Sequence, residues 1–565
     1  MANFSVSPGV TTSEIDNTFL TGQPTQAGAA IVGPTVKGPV EVPTLVTSYA
    51  DYVNRFGDVL VSGSNTYSYF TSISAYNYFQ NGGKSLIVAR VVTGSYTPAT
   101  STTISNYINV ASSSFALETI SEGVLMNNSG SETSGALASG SKDNVRWEIT
   151  NSNTSSGTFN VIVRRGDDKD ANKIILESWN NVSLDPYSSR YISKVIGDQV
   201  VEYNTVTSQV EVTTGSFINQ SRYVRVKNVT PTPNYLNNLG LPVSAYTASI
   251  PKDGSGSFSG ATGDILGGAN FYENISTQTQ GLTAGCYDNM VTALSNKDAY
   301  QFNVLSTPGL LNEYHTSTIS TLITNTQNRG DNLYVVDLVD YSGTLTDATV
   351  QATTRDTSYA ATYWPWVRIV DPGTGRQVWV PASALIPGVY AYNDKVSAPW
   401  FAPAGINRGG LSSVLSAKLK LSQADRDTLY SNNINPIATF PRTGVSVFGQ
   451  KTLQKGASAL DRVNVRRLLI ELKSYISQVA DTLVFEQNTI TTRNNFLARV
   501  NPYLQTIQQK QGLYAFKVIM DETNNTPDVV DRNQLIGQIY VQPSRTAEFI
   551  ALDFILQPTG ATFPG

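Results

Sequence analysis

The 565-residue chain has a single cysteine, Cys286, and a single histidine, His315. One cysteine cannot close a disulfide within the chain. One residue of each type excludes every Cys/His zinc cluster and the paired-histidine metallohydrolase motif. A histidine-based triad would have to use His315, and no Gly-x-Ser-x-Gly elbow accompanies it. His315 therefore reads as a packed or surface residue and Cys286 as a small buried thiol. Charge is scarce: charged residues make up 15% of the chain, against about 25% in an average soluble domain. The 39 Lys and Arg against 43 Asp and Glu leave a net charge of −4, which argues against coating nucleic acid as the main task. No apolar run approaches the ~20 residues of a membrane helix. The opening Met1-Ala2-Asn3-Phe4-Ser5 lacks the basic and apolar regions of a signal peptide. The expectation is a chain without membrane insertion, kept in a cytoplasm or leaving it without an export signal.

Several motifs fail on inspection. The segment Gly33-Pro34-Thr35-Val36-Lys37-Gly38-Pro39 has phosphate-loop spacing, but Pro39 stands where the lysine belongs. Neither the 449–456 segment nor Gly254, Gly256 and Gly260 fits a nucleotide fingerprint, and all three read as turns. Asp521, Glu522, Asp528 and Asp531 do not match a calcium loop. Lys169 among Asp167, Asp168 and Asp170 reads as a solvated hairpin tip. No catalytic set, metal site or cofactor is expected.

What is present is a change of texture along the chain. Residues 1–20 read as an extended arm. Residues 28–93 read as an α/β unit: a buried strand at 29–33, a helix at 49–57 ending on a glycine, a helix at 67–79 and a buried strand at 86–92. Residues 94–250, polar and β-rich, read as an insertion, after which α/β texture resumes. The fold class is therefore multidomain α/β (α+β). The expected units are an arm at 1–20, a discontinuous middle domain at 21–93 plus 251–400, the insertion at 94–250, a C-terminal domain at 401–543 and a terminal strand at 544–565. In the C-terminal part, Asp461 can cap a long helix whose Val465, Leu469, Leu472, Ile476, Val479 and Leu483 form one apolar seam. A second helix at about 490–511 contains Pro502, which should kink or restart it. At the ends, Phe4, Val6 and Val10 lack local partners, while Ile550, Leu552, Phe554 and Leu556 share one face of a strand. Such strands either fold back or complete a neighbour's sheet.

Specific runs then carry a resemblance. They are Ser7-Pro8-Gly9-Val10, Ile31-Val32-Gly33-Pro34, Val46-Thr47-Ser48-Tyr49-Ala50-Asp51-Tyr52, Asn433-Ile434-Asn435-Pro436-Ile437, Gly449-Gln450-Lys451-Thr452-Leu453, Asp461-Arg462-Val463-Asn464-Val465-Arg466-Arg467-Leu468 and Arg545-Thr546-Ala547-Glu548-Phe549. On these the chain resembles the contractile tail sheath proteins of T4-like myophages. The resemblance implies a structural subunit of a virion, assembled in a host cytoplasm. It would stack as six-fold rings around a tail tube and contract to drive the tube through the host envelope. The implied partners are its own copies, the tube protein, and baseplate and terminator proteins, with no direct contact to nucleic acid. It also implies a C-terminal sheet completed by strands of neighbouring chains, an outward-facing insertion, and a C-terminal domain against the tube. Arg462, Arg466 and Lys473 are then the candidate tube-facing residues. The alternatives are a bacteriocin or type VI-like sheath, or an adhesin or hydrolase using the insertion.

Overall fold

Short runs in which every residue is apolar or small dictate a sheet covered on both faces. The computed structural model, which describes residues 25–549 apart from 63, 108–111, 265–269 and 442, builds that sheet from eight strands. They are β1 (Ala29–Gly33), β2 (Thr44–Val46), β3 (Leu86–Arg90), β4 (Val304–Leu311), β5 (Leu333–Asp337), β6 (Ala360–Trp364), β7 (Asn435–Phe440) and β8 (Gly444–Val447). Their order is β8-β7-β6-β5-β4-β1-β3-β2. The inner six run parallel, and β2 and β8 close the two sides antiparallel.

Alternation along the strands builds two cores. Ile31, Val88 and Val335 face one side, with α1 (Tyr49–Phe56), α2 (Phe70–Gln80) and α4 (Ile386–Val396). Ala30, Val32, Ile87 and Val336 face the other, with α3 (Thr316–Arg329). Helix α1 starts where the Ser48 hydroxyl accepts the Asp51 N–H and stops at Gly57, whose φ of 75° suits glycine. Helix α2 starts at Phe70 rather than near 67, because Tyr67 is spent pairing with Leu60 in a small hairpin.

The insertion forms two four-stranded antiparallel sheets around Phe115, Trp147, Phe159, Val161 and Val224. Its last strands, Gly254–Gly256 and Phe258–Ser259, pair with Val145–Asn153 and Pro98–Ser101, so its β-structure runs past the expected end at 250. In the turn at 167–170, Asp167, Lys169 and Asp170 are exposed as expected, but Asp168 is anchored inward. Arg146 and Arg164 are fully buried, and Arg164 grips the buried Asp168 at 2.7 and 2.8 Å. The expected boundary at 401 also shifts, because the open side of β6 takes β7 in parallel, at Tyr363↔Asn435. Residues 435–447 thus complete the central sheet.

The C-terminal unit consists of α6 (Val463–Asp481), α7 (Ile490–Gln509), β9 (Leu513–Ile519) and β10 (Gln538–Pro543) around Leu468, Leu472, Phe496, Val500 and Leu504. Helix α7 runs unbroken through Pro502. α5 (Gln423–Ser431), opened by a Ser422/Asp425 capping box, packs its buried Leu429 into the central core.

Candidate assembly interface

The N-terminus of α6 is fixed by a neighbouring loop. The Val463 N–H donates to Gln450 O at 2.8 Å, and Lys451 pairs with Arg462 as an isolated antiparallel bridge. The helix therefore begins after Arg462, in extended backbone, and not at Asp461, which lies in the short turn Ala459–Asp461. The expected seam is present: Val465, Leu472 and Val479 are buried, and Leu469, Ile476 and Leu483 pack alongside. A second face of the same helix is buried too, with Val463 and Ile470 in the central core.

That second face accounts for the basic residues. Arg467 is 4% exposed, holds Asp394 through two bonds at 2.9 and 2.6 Å, and lies 4.7 Å from the Tyr390 ring centre. Arg466, equally buried, stacks 4.0 Å over Tyr359 and bonds Ser358. Arg462 is engaged with Glu548. Guanidinium groups shed water readily onto aromatic rings, which is why a stretch read as a surface charge stripe lies inside. Of the three candidate tube-facing residues only Lys473 is exposed, its Nζ 3.3 Å from the Tyr359 hydroxyl.

β9 and β10 pair antiparallel from Leu513↔Pro543 to Ile519↔Gln538 and make a sheet of two strands. Phe516, Val518, Ile539 and Val541 lean on the C-terminal core, while Tyr514 and Tyr540 are exposed. Among the described residues neither strand has a partner on its outer side. Two strands alone are marginal in water, and unpaired backbone edges template a further strand.

From β10 the chain continues as an irregular strap, residues 544–549, back over the central unit. The Glu548 carboxylate is held from three directions. Arg462 donates through Nε at 2.8 Å and Nη2 at 3.0 Å, the Tyr430 hydroxyl at 2.7 Å and Gln450 Nε2 at 3.0 Å. Burial alone would push this carboxyl up, but the bonds from Arg462, Tyr430 and Gln450 outweigh it and hold it below its ordinary value. Beside the strap lies a cavity of about 590 Å³ lined by Trp400, Phe401, Arg408, Arg426 and Phe448. Nothing in the sequence pattern signalled this clamp, since Glu548 and Arg462 stand 86 positions apart.

The remaining candidates are structural. His315 is buried, accepts the Leu311 N–H at Nδ1 (2.9 Å) and faces Thr277 O through Nε2 at 3.3 Å, so the neutral Nε2–H form fits both contacts. Burial lowers its pKa. Cys286 is half-buried, 3.5 Å from the Thr283 hydroxyl. The acidic run at 521–531 forms a turn knitted by Asn524 and Asn525 followed by a short helix, Pro527–Asp531. Among the described residues no group of three or more side chains could hold a metal. Phe4, Val6, Val10, Ile550, Leu552, Phe554 and Leu556 lie outside the described residues.

Residues 281–453 match the phage tail sheath protein central domain and residues 457–557 the phage tail sheath C-terminal domain. The tail sheath protein of Vibrio phage KVP40 is 42% identical over 207 residues, 37% of this chain and 31% of its own. That of Enterobacteria phage T4 is 40% identical over 185 residues, 33% of this chain and 28% of its own. The matches span about a third of these curated relatives. A solved structure of the anti-feeding prophage helical sheath in the contracted state aligns over 98% of this chain and 99% of that one, at 16% identity and a TM-score of 0.49.

Proposed function

We propose, for a chain that carries the central and C-terminal domains of phage tail sheath proteins, that it is the structural subunit of a contractile tail sheath, without catalytic activity. The observation that carries the mode of assembly is the β9–β10 ladder, left with an open edge on both sides among the described residues. Strand addition at those edges uses directional backbone bonds and joins unlike surfaces, so copies add without closing on a pair.

In this reading residues 1–20, with Phe4, Val6 and Val10, and residues 544–565, with Ile550, Leu552, Phe554 and Leu556, are the strands given to neighbours. Copies stack as six-fold rings around a tail tube. Contraction is the passage between two packings of the same subunit, driven by their free-energy difference. The tube, baseplate and terminator proteins are the other partners, and Lys473 is the one candidate tube-facing cation left toward solvent. The sheath belongs to the virion and assembles in the host cytoplasm, with the insertion facing outward.

Negative-stain electron microscopy of the purified chain over a range of concentration and salt tests this, with and without the cognate tube protein. Hollow tubes are expected from the full chain. Deletion of 1–20 or of 550–565 should abolish them while leaving the thermal unfolding of the monomer in place. Tubes from both deletions would refute strand exchange. Absence of tubes from the full chain, even on the cognate tube, would refute the sheath reading.

A further inference from the structure

The strap at 544–549 is attached in an unusual way. A permanent crossing segment normally packs apolar side chains into the surface beneath. Here Phe549 is 84% exposed, and the cavity of about 590 Å³ opens beside the strap instead of being filled by it. Its backbone forms no ladder, and Ser544 N–H to Gly512 O at 3.1 Å holds only its start. What fixes the far end is polar: the carboxylate of Glu548, and Thr546 Oγ1, which accepts from Gln450 Nε2 at 2.5 Å. The seat itself is rigid. Arg462 precedes α6, Tyr430 sits on α5, and Gln450 is tied to Val463 through its carbonyl. Two deeply buried side chains lining the cavity, Gln450 and Asn464, each keep an oxygen with no partner among the described residues. A buried acceptor left unmatched is a cost that a permanently closed core avoids.

We infer that the strap is a releasable latch: Glu548 seated between Arg462, Tyr430 and Gln450 closes it, and its withdrawal frees the chain end from the central unit. Opening exchanges a handful of hydrogen bonds for water and exposes little apolar surface, so the closed form predominates by a margin that these few bonds set, and the open form is a small minority. Loss of the one carboxylate charge then shifts the balance strongly. A charge-assisted bond contributes more than a neutral one, and with one oxygen replaced by an amide nitrogen only one of the two guanidinium bonds can still be accepted, now by a neutral oxygen. The latch rests on contacts within one chain; only its consequence, that opening precedes strand donation to a neighbour, rests on the sheath reading.

The test is trypsin cleavage after Arg545, an exposed strap residue, followed by mass spectrometry on the full chain. When opening is fast relative to cleavage, the rate follows the open population. Glu548→Gln keeps the shape and loses the charge, and should speed this cut about ten- to a hundred-fold. Tyr430→Phe removes one bond and should speed it a few-fold, while cleavage after Arg532, on the surface of the C-terminal unit, stays unchanged in both. Rates within two-fold of wild type in both variants would overturn the latch. In the microscopy assay Glu548→Gln should lower the concentration at which tubes form. Fast cleavage with unchanged tube formation would overturn the coupling to assembly. A wild-type chain that forms no tubes on its tube would count against the sheath reading and leave the cleavage result standing.

Discussion

Replacing Arg467 tests how firmly the C-terminal unit is welded to the central one. The guanidinium leaves α6, crosses to α4, and takes both oxygens of Asp394 while lying against Tyr390. Arg467→Met keeps much of the side-chain volume and removes both bonds. Breaking a buried pair costs ~3–5 kcal/mol because a charge is stranded. The Asp394 side chain is 34% exposed, so water takes up part of that charge. The loss should therefore be about 2–3 kcal/mol. If it falls on the opening of α6, amide exchange across residues 468–472 should accelerate by about 30- to 150-fold, at roughly 1.4 kcal/mol per decade. Hydrogen–deuterium exchange on the monomer reads this directly, with peptides of the insertion as internal control. Arg467→Lys keeps the charge without the planar fork, so it should fall between the two. An Arg467→Met rate within three-fold of wild type, or an acceleration spread equally into the insertion, would refute the reasoning.

Two buried carboxyls set a pH response. Burial raises Asp337 to about 7, offset by hydrogen bonds from Ser383, and burial likewise raises Glu122 to about 7. Between their ordinary values and 7 the folded chain holds protons that the unfolded chain has lost, so their contribution to stability is full at low pH and fades as pH rises through 7. The melting temperature should change less between pH 6 and 8 in Asp337→Asn than in wild type; identical slopes would exclude Asp337 as a source. Gly388→Ala should lower the melting temperature by a few degrees, through about 1–3 kcal/mol of overpacking, because a Cβ there would lie 2.9 Å from the Asn77 carbonyl where α4 crosses α2. Arg164→Ala should destabilise the insertion by about 2–4 kcal/mol and expose it to limited proteolysis, leaving the central sheet protected, because the buried Asp168 loses its two short bonds and keeps only Arg146 at 3.6 Å and the Ile174 N–H.

What could be read from the sequence was what short range decides. The strands at 29–33 and 86–90, the Ser48 and Gly57 ends of α1, and the apolar seam of α6 follow from patterns within a few residues. The terminal segments with Phe4, Val6 and Val10 and with Ile550, Leu552, Phe554 and Leu556 lie outside the described residues. Long-range contacts decided the rest. Arg467 meets Asp394 across 73 positions, and Arg462 meets Glu548 across 86, so charges that share a stripe in the sequence are inside the fold. β7 belongs to the central sheet because β6 offered it a side, a fact no local pattern contains. Asp168 alone in the 167–170 turn departs from the solvated reading, because its arginine partners lie on the neighbouring strands.

Helix α6 has one further consequence. One face is rooted in the core of the central unit and the other in that of the C-terminal unit, so it works as a common axle with no slack bearing between the two. In the proposed assembly, torque applied at the outer strands would pass through this helix to the eight-stranded sheet. The give in such a mechanism then has to sit at the periphery. Lys37 and Asp143, Asp58 and Lys142, and Asp51 and Arg222 join the central unit to the insertion through ion pairs, fastenings that can slide from one partner to another while the shaft itself turns as one piece.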